Sequence, residues 1–122
     1  MEAGTRHVAI VDDDPSVCRA LARLVRSLGF AASTYASGEA LLADAPAKAP
    51  DEVLLDLHLP GLRGQELLAR IHDRLSARVV VMTGLDRPGA REACLAAGAA
   101  AYVTKPLRRE DLAGLLAHPG QA

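Results

Sequence analysis

Three consecutive aspartates, Asp12, Asp13 and Asp14, follow directly on the apolar run Val8-Ala9-Ile10-Val11, the tightest concentration of like charge in the chain. Two carboxylates about 4 Å apart repel by roughly 4 kcal/mol at an effective dielectric of about 20. A fold that holds such a pair at a partly buried strand end needs a compensating group, and a cation is the simplest one. Taken alone, the triplet reads equally well as a solvated turn and helix cap, because aspartate is a common turn residue. Three further apolar runs also end on a residue that could do chemistry: Glu52 to Leu55 ends on Asp56, Val79 to Met82 on Thr83, and Ala101 to Val103 lies just before Lys105. Singly, Asp56 could be a turn residue, Thr83 a strand end and Lys105 a surface charge. Together they are three carboxylates, a hydroxyl and an ammonium at four strand ends, which independent coincidence explains poorly.

The chemistry that suits this set is phosphoryl transfer to a carboxylate. An aspartate can act as nucleophile and form an acyl phosphate, and the charge on the transferring group is neutralised by positioned cations. Mg2+ fits the carboxylates, since it takes one or two protein carboxylates together with waters and phosphate oxygens. Lysine adds a compact second positive charge, and the threonine hydroxyl can donate to a phosphoryl oxygen. There is no Gly-x-x-x-x-Gly-Lys phosphate cradle, so the phosphoryl donor is expected to come from another molecule.

These residues can meet only if the elements between them are arranged to bring them together. Asp14 suits an N-cap and Pro15 a first helical position. Val17, Leu21, Leu24, Val25 and Leu28 then recur at helical spacing until Gly29, giving a helix of about 14 residues. Ala31 to Tyr35 reads as a short strand, and Ser37-Gly38 opens a second helix ending near Pro46. A strand from Glu52 follows. A loop at Leu59 to Gly64 leads to a third helix marked by Leu67, Leu68, Ile71 and Leu75. The strand ending at Thr83 is followed by a fourth helix, roughly Pro88 to Ala97, closed by Gly98. Ala101 to Val103 forms a fifth strand, and Glu110 to Ala117 a last helix. Five alternations of strand and helix, with uninterrupted apolar strands, predict a parallel sheet in a three-layer α/β sandwich. Ligands of open sheets of this kind bind beyond the carboxyl ends of the strands, where the candidate residues stand.

The chain has 122 residues, half of them hydrophobic, which suits one domain with one buried core over residues 1–122. A formal net charge of -1 leaves no basic footprint for nucleic acid or an anionic membrane. No apolar run approaches the roughly 20 residues of a membrane span, and the first seven residues are too polar for a signal segment. Cys18 and Cys94 both fall in helical stretches and read as reduced core residues, which fits a cytoplasmic protein. His7, His72 and His118 show no metal or phosphotransfer spacing and are assigned to the surface.

In combination, Val11-Asp12-Asp13-Asp14, Asp56-Leu57-His58-Leu59-Pro60-Gly61, Thr83-Gly84 and Lys105-Pro106 resemble the receiver domain of two-component response regulators over nearly the whole chain. The resemblance implies a flavodoxin-like (βα)5 fold with sheet order 2-1-3-4-5. It implies that Asp56 accepts a phosphoryl group from a sensor histidine kinase or phosphotransfer protein. Mg2+ would be held by Asp13 directly, by Asp12 through water, by Asp56, and by the main-chain carbonyl of His58. Thr83 would bond a phosphoryl oxygen, Lys105 would pair with the phosphoryl group, and Lys105-Pro106 would be a cis peptide. Tyr102, three residues before Lys105, stands where the family's switch aromatic belongs. The signal would then leave by the face of the fourth helix, fifth strand and fifth helix, towards an output partner or a second copy.

Two other functions compete. A haloacid-dehalogenase-type phosphohydrolase also carries a strand-one Asp-x-Asp, a later threonine and a lysine, but it needs a distal acidic pair where this chain offers only Asp86. A receiver-like interaction module that is never phosphorylated typically lacks one of the acidic residues, the acceptor or the lysine, all of which are present here.

Overall fold

The computed structural model describes residues 6–44, 49–57 and 64–116. Five strands, β1 (His7–Val11), β2 (Ala31–Tyr35), β3 (Glu52–Asp56), β4 (Arg78–Thr83) and β5 (Ala101–Thr104), alternate with five helices. These are α1 (Pro15–Ser27), α2 (Gly38–Asp44), α3 (Gly64–Arg74), α4 (Ala90–Ala96) and α5 (Arg109–Leu116). All strand pairings are parallel, in the order β2-β1-β3-β4-β5.

Strand alternation divides the core between the two faces of the sheet. Ala9, Val11, Val53, Leu55, Val79 and Val81 pack on one side with Leu41, Leu67, Leu68, Ile71 and Cys94 of α2, α3 and α4. Val8, Ile10, Leu54, Val80 and Met82 pack on the other with Cys18, Leu21, Val25, Leu112 and Leu116 of α1 and α5. The central strands β1, β3 and β4 are therefore nearly all buried, as their unbroken apolar runs predict. The edge strand β2, which pairs only with β1 and is touched by α1 and α2, is only partly covered.

The helix ends follow from local chemistry. Asp14 is the N-cap of α1, its side chain accepting from the Ser16 amide, and Pro15 takes the first turn where no donor is needed. The fourth helix starts at Ala90, two residues later than the sequence spacing suggests. Gly89 holds φ +83° as its N-cap, a left-handed conformation that ends the preceding turn before the helix begins. Gly98, at φ +111°, stops the same helix, and the His72 ring lies where a Cβ would stand. His72 remains exposed, but its Nε2 hydrogen bonds the Gly98 carbonyl at 2.9 Å and joins α3 to the end of α4. Cys18 and Cys94 are both buried free thiols.

Candidate phosphoryl-transfer site

Register brings the selected strand ends to one edge. Asp56 pairs with Met82, the Leu57 amide donates to the Met82 carbonyl, and the Lys105 amide donates to the Thr83 carbonyl at 2.7 Å. The peptide between Lys105 and Pro106 is cis. By alternation, Asp12 follows Ile10 and Asp56 follows Leu54 onto the α1/α5 side, whereas Thr83 follows Val81 onto the α4 side together with Tyr102.

Carboxylate oxygens of Asp12, Asp13 and Asp56 all lie within 4.8 Å of one another. Asp12 and Asp56 are buried and Asp13 is exposed. The Lys105 ammonium donates to Asp12 Oδ2 at 2.6 Å and stands 3.6 Å from Asp56 Oδ1. Burial pulls the Lys105 pKa down, but the carboxylates of Asp12 and Asp56 outweigh it and hold the group above the ordinary lysine value. Asp12 is further fixed by its Oδ1, which accepts from the Asp14 amide, and by its own amide, which donates to the Tyr35 carbonyl. Three carboxylates around one ammonium leave an excess of negative charge, and an all-oxygen donor set of this kind fits a hard divalent cation such as Mg2+.

The Thr83 side chain is fully buried. Its hydroxyl donates to the Leu85 carbonyl at 2.9 Å and accepts from the Leu85 amide at 3.1 Å. Tyr102 is 4 % exposed and its hydroxyl donates to Asp86 Oδ1 at 2.9 Å. Burial and the Asp86 carboxylate push its pKa up. A groove of about 860 Å³ between α4, β5 and α5 includes Tyr102 and Lys105 in its walls, whereas Asp12 and Asp13 open onto a smaller hollow of about 250 Å³ beside α1. The main-chain carbonyl of His58 and the loop at Leu59 to Arg63 lie outside the described residues.

A family model described as "Response regulator receiver domain" matches residues 8–117. The chain belongs to this family. The sensory transduction protein RegX3 of Mycobacterium bovis is 38% identical over 105 residues, covering 86% of this chain and 46% of the relative. The receiver domain thus spans about half the length of the curated relatives it matches. Among solved structures, a response regulator receiver protein from Burkholderia phymatum is 41% identical with a TM-score of 0.79, covering 92% of each chain. A receiver domain protein from Methanospirillum hungatei is 27% identical with a TM-score of 0.85, covering 93% of this chain and 91% of that one. The flavodoxin-like order of the sheet agrees with these neighbours, and the haloacid-dehalogenase-type alternative is not favoured.

Several residues of this receiver domain take part in contacts that sequence reasoning did not single out. Cys18 donates its thiol to the Asp12 carbonyl at 3.3 Å, and burial, together with the Asp12 charge, keeps the thiol protonated by raising its pKa. Asp86 holds the Tyr102 hydroxyl. Glu52, the first residue of an otherwise apolar strand, is fully buried and bonded to Arg78 at 3.1 Å, with Arg6 at 3.8 Å. A charge opening a buried strand, with arginines before β1 and at the start of β4, was the available signal for the last of these.

Proposed function

We propose that the domain, one receiver unit over residues 1–122, accepts a phosphoryl group on Asp56 in a Mg2+-dependent reaction and signals through its α4–β5–α5 face. The observation that carries this reading is the position of the Lys105 ammonium between Asp12 and Asp56 in a three-carboxylate cluster. The donor is a sensor histidine kinase or phosphotransfer protein, in keeping with the response regulators to which the chain is related. Such a domain catalyses its own phosphorylation and dephosphorylation rather than turning over free substrates. We place it in the cytoplasm with its thiols reduced. Among the described residues, no helix is long and apolar enough to cross a membrane.

Asp12, Asp13, Asp56 and the His58 carbonyl would hold Mg2+, which when bound supplies charge neutralisation and orientation for phosphoryl oxygens. An Asp56 carboxylate oxygen attacks phosphorus in line. The bond from phosphorus to the donor's imidazole nitrogen, or to the acyl oxygen of a small donor, breaks as the aspartyl bond forms, and a leaving imidazole takes up a proton from solvent. Lys105 turns from Asp12 to pair with the phosphoryl oxygens. Thr83 exchanges Leu85 for one of those oxygens, and Tyr102, on the same face of the sheet, responds. The balance of states shifts only by the difference in affinity of the phosphoryl group for the two arrangements. An output partner or a second copy then reads α4, β5 and α5.

Incubation with Mg2+ and acetyl phosphate, followed by intact mass, tests this. One added phosphoryl group is expected, absent when Mg2+ is removed before the donor is added and absent in Asp56→Ala. Labelling that persists in Asp56→Ala, or steady hydrolysis of phosphate monoesters, would overturn it.

A further inference from the structure

The two flanks of α1 differ in kind. On one, Val17, Ala20, Leu21 and Leu24 line a small apolar hollow together with Pro106 and Leu107. On the other, towards β2, Arg19, Arg23 and Arg26 are exposed and line a hollow of about 380 Å³ with Ala22 and Thr34. Helix α1 contains no acidic residue, and β2 contains no charged one. Arg6, Arg78 and Arg108 each meet a carboxylate at 3.1 to 3.8 Å. Among the described residues, no carboxylate pairs with any of the three arginines on α1. Arg26 instead donates to the Ala32 carbonyl of β2 at 3.2 Å, which holds its guanidinium over the strand.

Residues four and three apart share one helix face, so the three guanidiniums form a row that rises by about 10 Å over two turns. Arginine's planar fork fits a carboxylate through two parallel hydrogen bonds. A second helix laid alongside offers carboxylates at the same rise only where its acids recur three and four residues apart. Exposed Asp13 and Asp14 stand at the N-terminal end of α1 and close the row. They repel a longer polyanion such as nucleic acid, whose regularly spaced charges would run on across them. We infer that the flank between α1 and β2 docks an acidic helix of a partner protein, with Asp or Glu at i, i+3 or i+4, and i+7 facing Arg19, Arg23 and Arg26. Ala22 is the one apolar residue lining the hollow, so charge and hydrogen bonding rather than apolar burial set the register of the contact. Lys105, which stands by Asp56, borders the apolar hollow on the opposite flank, so this docking does not depend on the acceptor role of Asp56. Arg19 also borders the hollow of Asp12 and Asp13, which leaves Arg23 and Arg26 to carry the test.

The test is fluorescence anisotropy, with the full chain titrated into a labelled, stapled alanine-rich helix that carries glutamates at i, i+3, i+4 and i+7. A peptide of the same composition with its glutamates spread round the helix is the control. The one-face peptide should bind the wild type and Asp56→Ala equally, and the spread peptide should bind at least about threefold more weakly. Arg23→Ala and Arg26→Ala should each weaken binding by about two- to fivefold, the range one exposed ion pair gives, and the double variant by more than either. Arg23→Glu, at a position with no polar contact to lose, should weaken it further than Arg23→Ala. Arg70→Ala, exposed on α3, should bind as the wild type does. No binding to the wild type, equal binding of the two peptides, or undiminished affinity in the Arg23 and Arg26 variants would overturn the acidic-helix docking. A single-stranded oligonucleotide of equal charge that binds more tightly than the one-face peptide would also overturn it, by showing a general polyanion surface. Loss of peptide binding in Asp56→Ala would overturn the separation of this flank from the phosphoryl site.

Discussion

The ammonium of Lys105 belongs first to Asp12, at 2.6 Å, and only then to Asp56, at 3.6 Å. Two buried carboxylates share one cation, so its removal leaves them to repel one another. Lys105→Ala is expected to cost about 1 to 3 kcal/mol in metal-free buffer, the upper range being discounted because the lysine side chain is 23% exposed. Added Mg2+ should then raise the melting temperature of this variant more than that of the wild type, while phosphoryl-dependent switching is lost. A smaller metal-induced gain than in the wild type would count against the shared-cation picture. Sequence alone marked Asp12, Asp13, Asp56, Thr83 and Lys105, because each stands at the end of an apolar run whose direction the alternating elements dictate. It could not show that Lys105 rests closer to Asp12, or that Asp86 holds Tyr102. Those are matters of side-chain rotamer and loop path, which neither periodicity nor spacing encodes.

At the level of elements, caps and ties decide how firmly the site is presented. Asp14 caps α1 next to Asp12 and Asp13, and Asp14→Ala should destabilise the fold by about 1 kcal/mol in chemical denaturation. The tie from β2 to α2 is the Tyr35 hydroxyl, which donates to Asp44 at 2.6 Å. Burial and the Asp44 carboxylate push this tyrosine up to about 12 from its ordinary 10.0. Between those values the folded chain keeps a proton that the unfolded chain has released. Stability from this group is therefore fully held below pH 10.0 and drains away as pH rises towards about 12. Tyr35→Phe should flatten that alkaline decline in denaturation curves, and an unchanged slope would show that the group does not couple to folding. Helix and strand identities were legible from apolar spacing and from glycine and proline stops. The late start of α4 was not, since Pro88 looks like a first helical residue until Gly89 adopts a left-handed conformation after it.

Across the whole molecule, chemistry and anchoring occupy opposite ends of the sheet. At the carboxyl ends of the strands lie the acidic cluster and Lys105. At the other end, Glu52 opens β3 fully buried, Arg78 of β4 donates both to Glu52 and to the Leu115 carbonyl of α5, and Arg6 approaches from before β1. Burial raises the Glu52 pKa while Arg78 and Arg6 pull it back. Glu52→Ala strands two arginines that are themselves partly exposed, and a loss of about 2 to 4 kcal/mol is expected, with phosphorylation of the folded protein unaffected. Impaired phosphorylation in the folded variant would mean that the two ends are coupled. The layered architecture was readable from five alternations and continuous apolar strands. The sheet order came from the family resemblance, since no local pattern states which strand neighbours which. The central claim is that Asp56, and not an aspartate of the triplet, carries the phosphoryl group. Its most direct test is borohydride reduction of the protein treated with acetyl phosphate and Mg2+, which converts an aspartyl phosphate to homoserine, followed by peptide mass mapping. Homoserine at position 56 alone is predicted, and homoserine at Asp12 or Asp13, or at no position in protein that has gained phosphoryl mass, would contradict it.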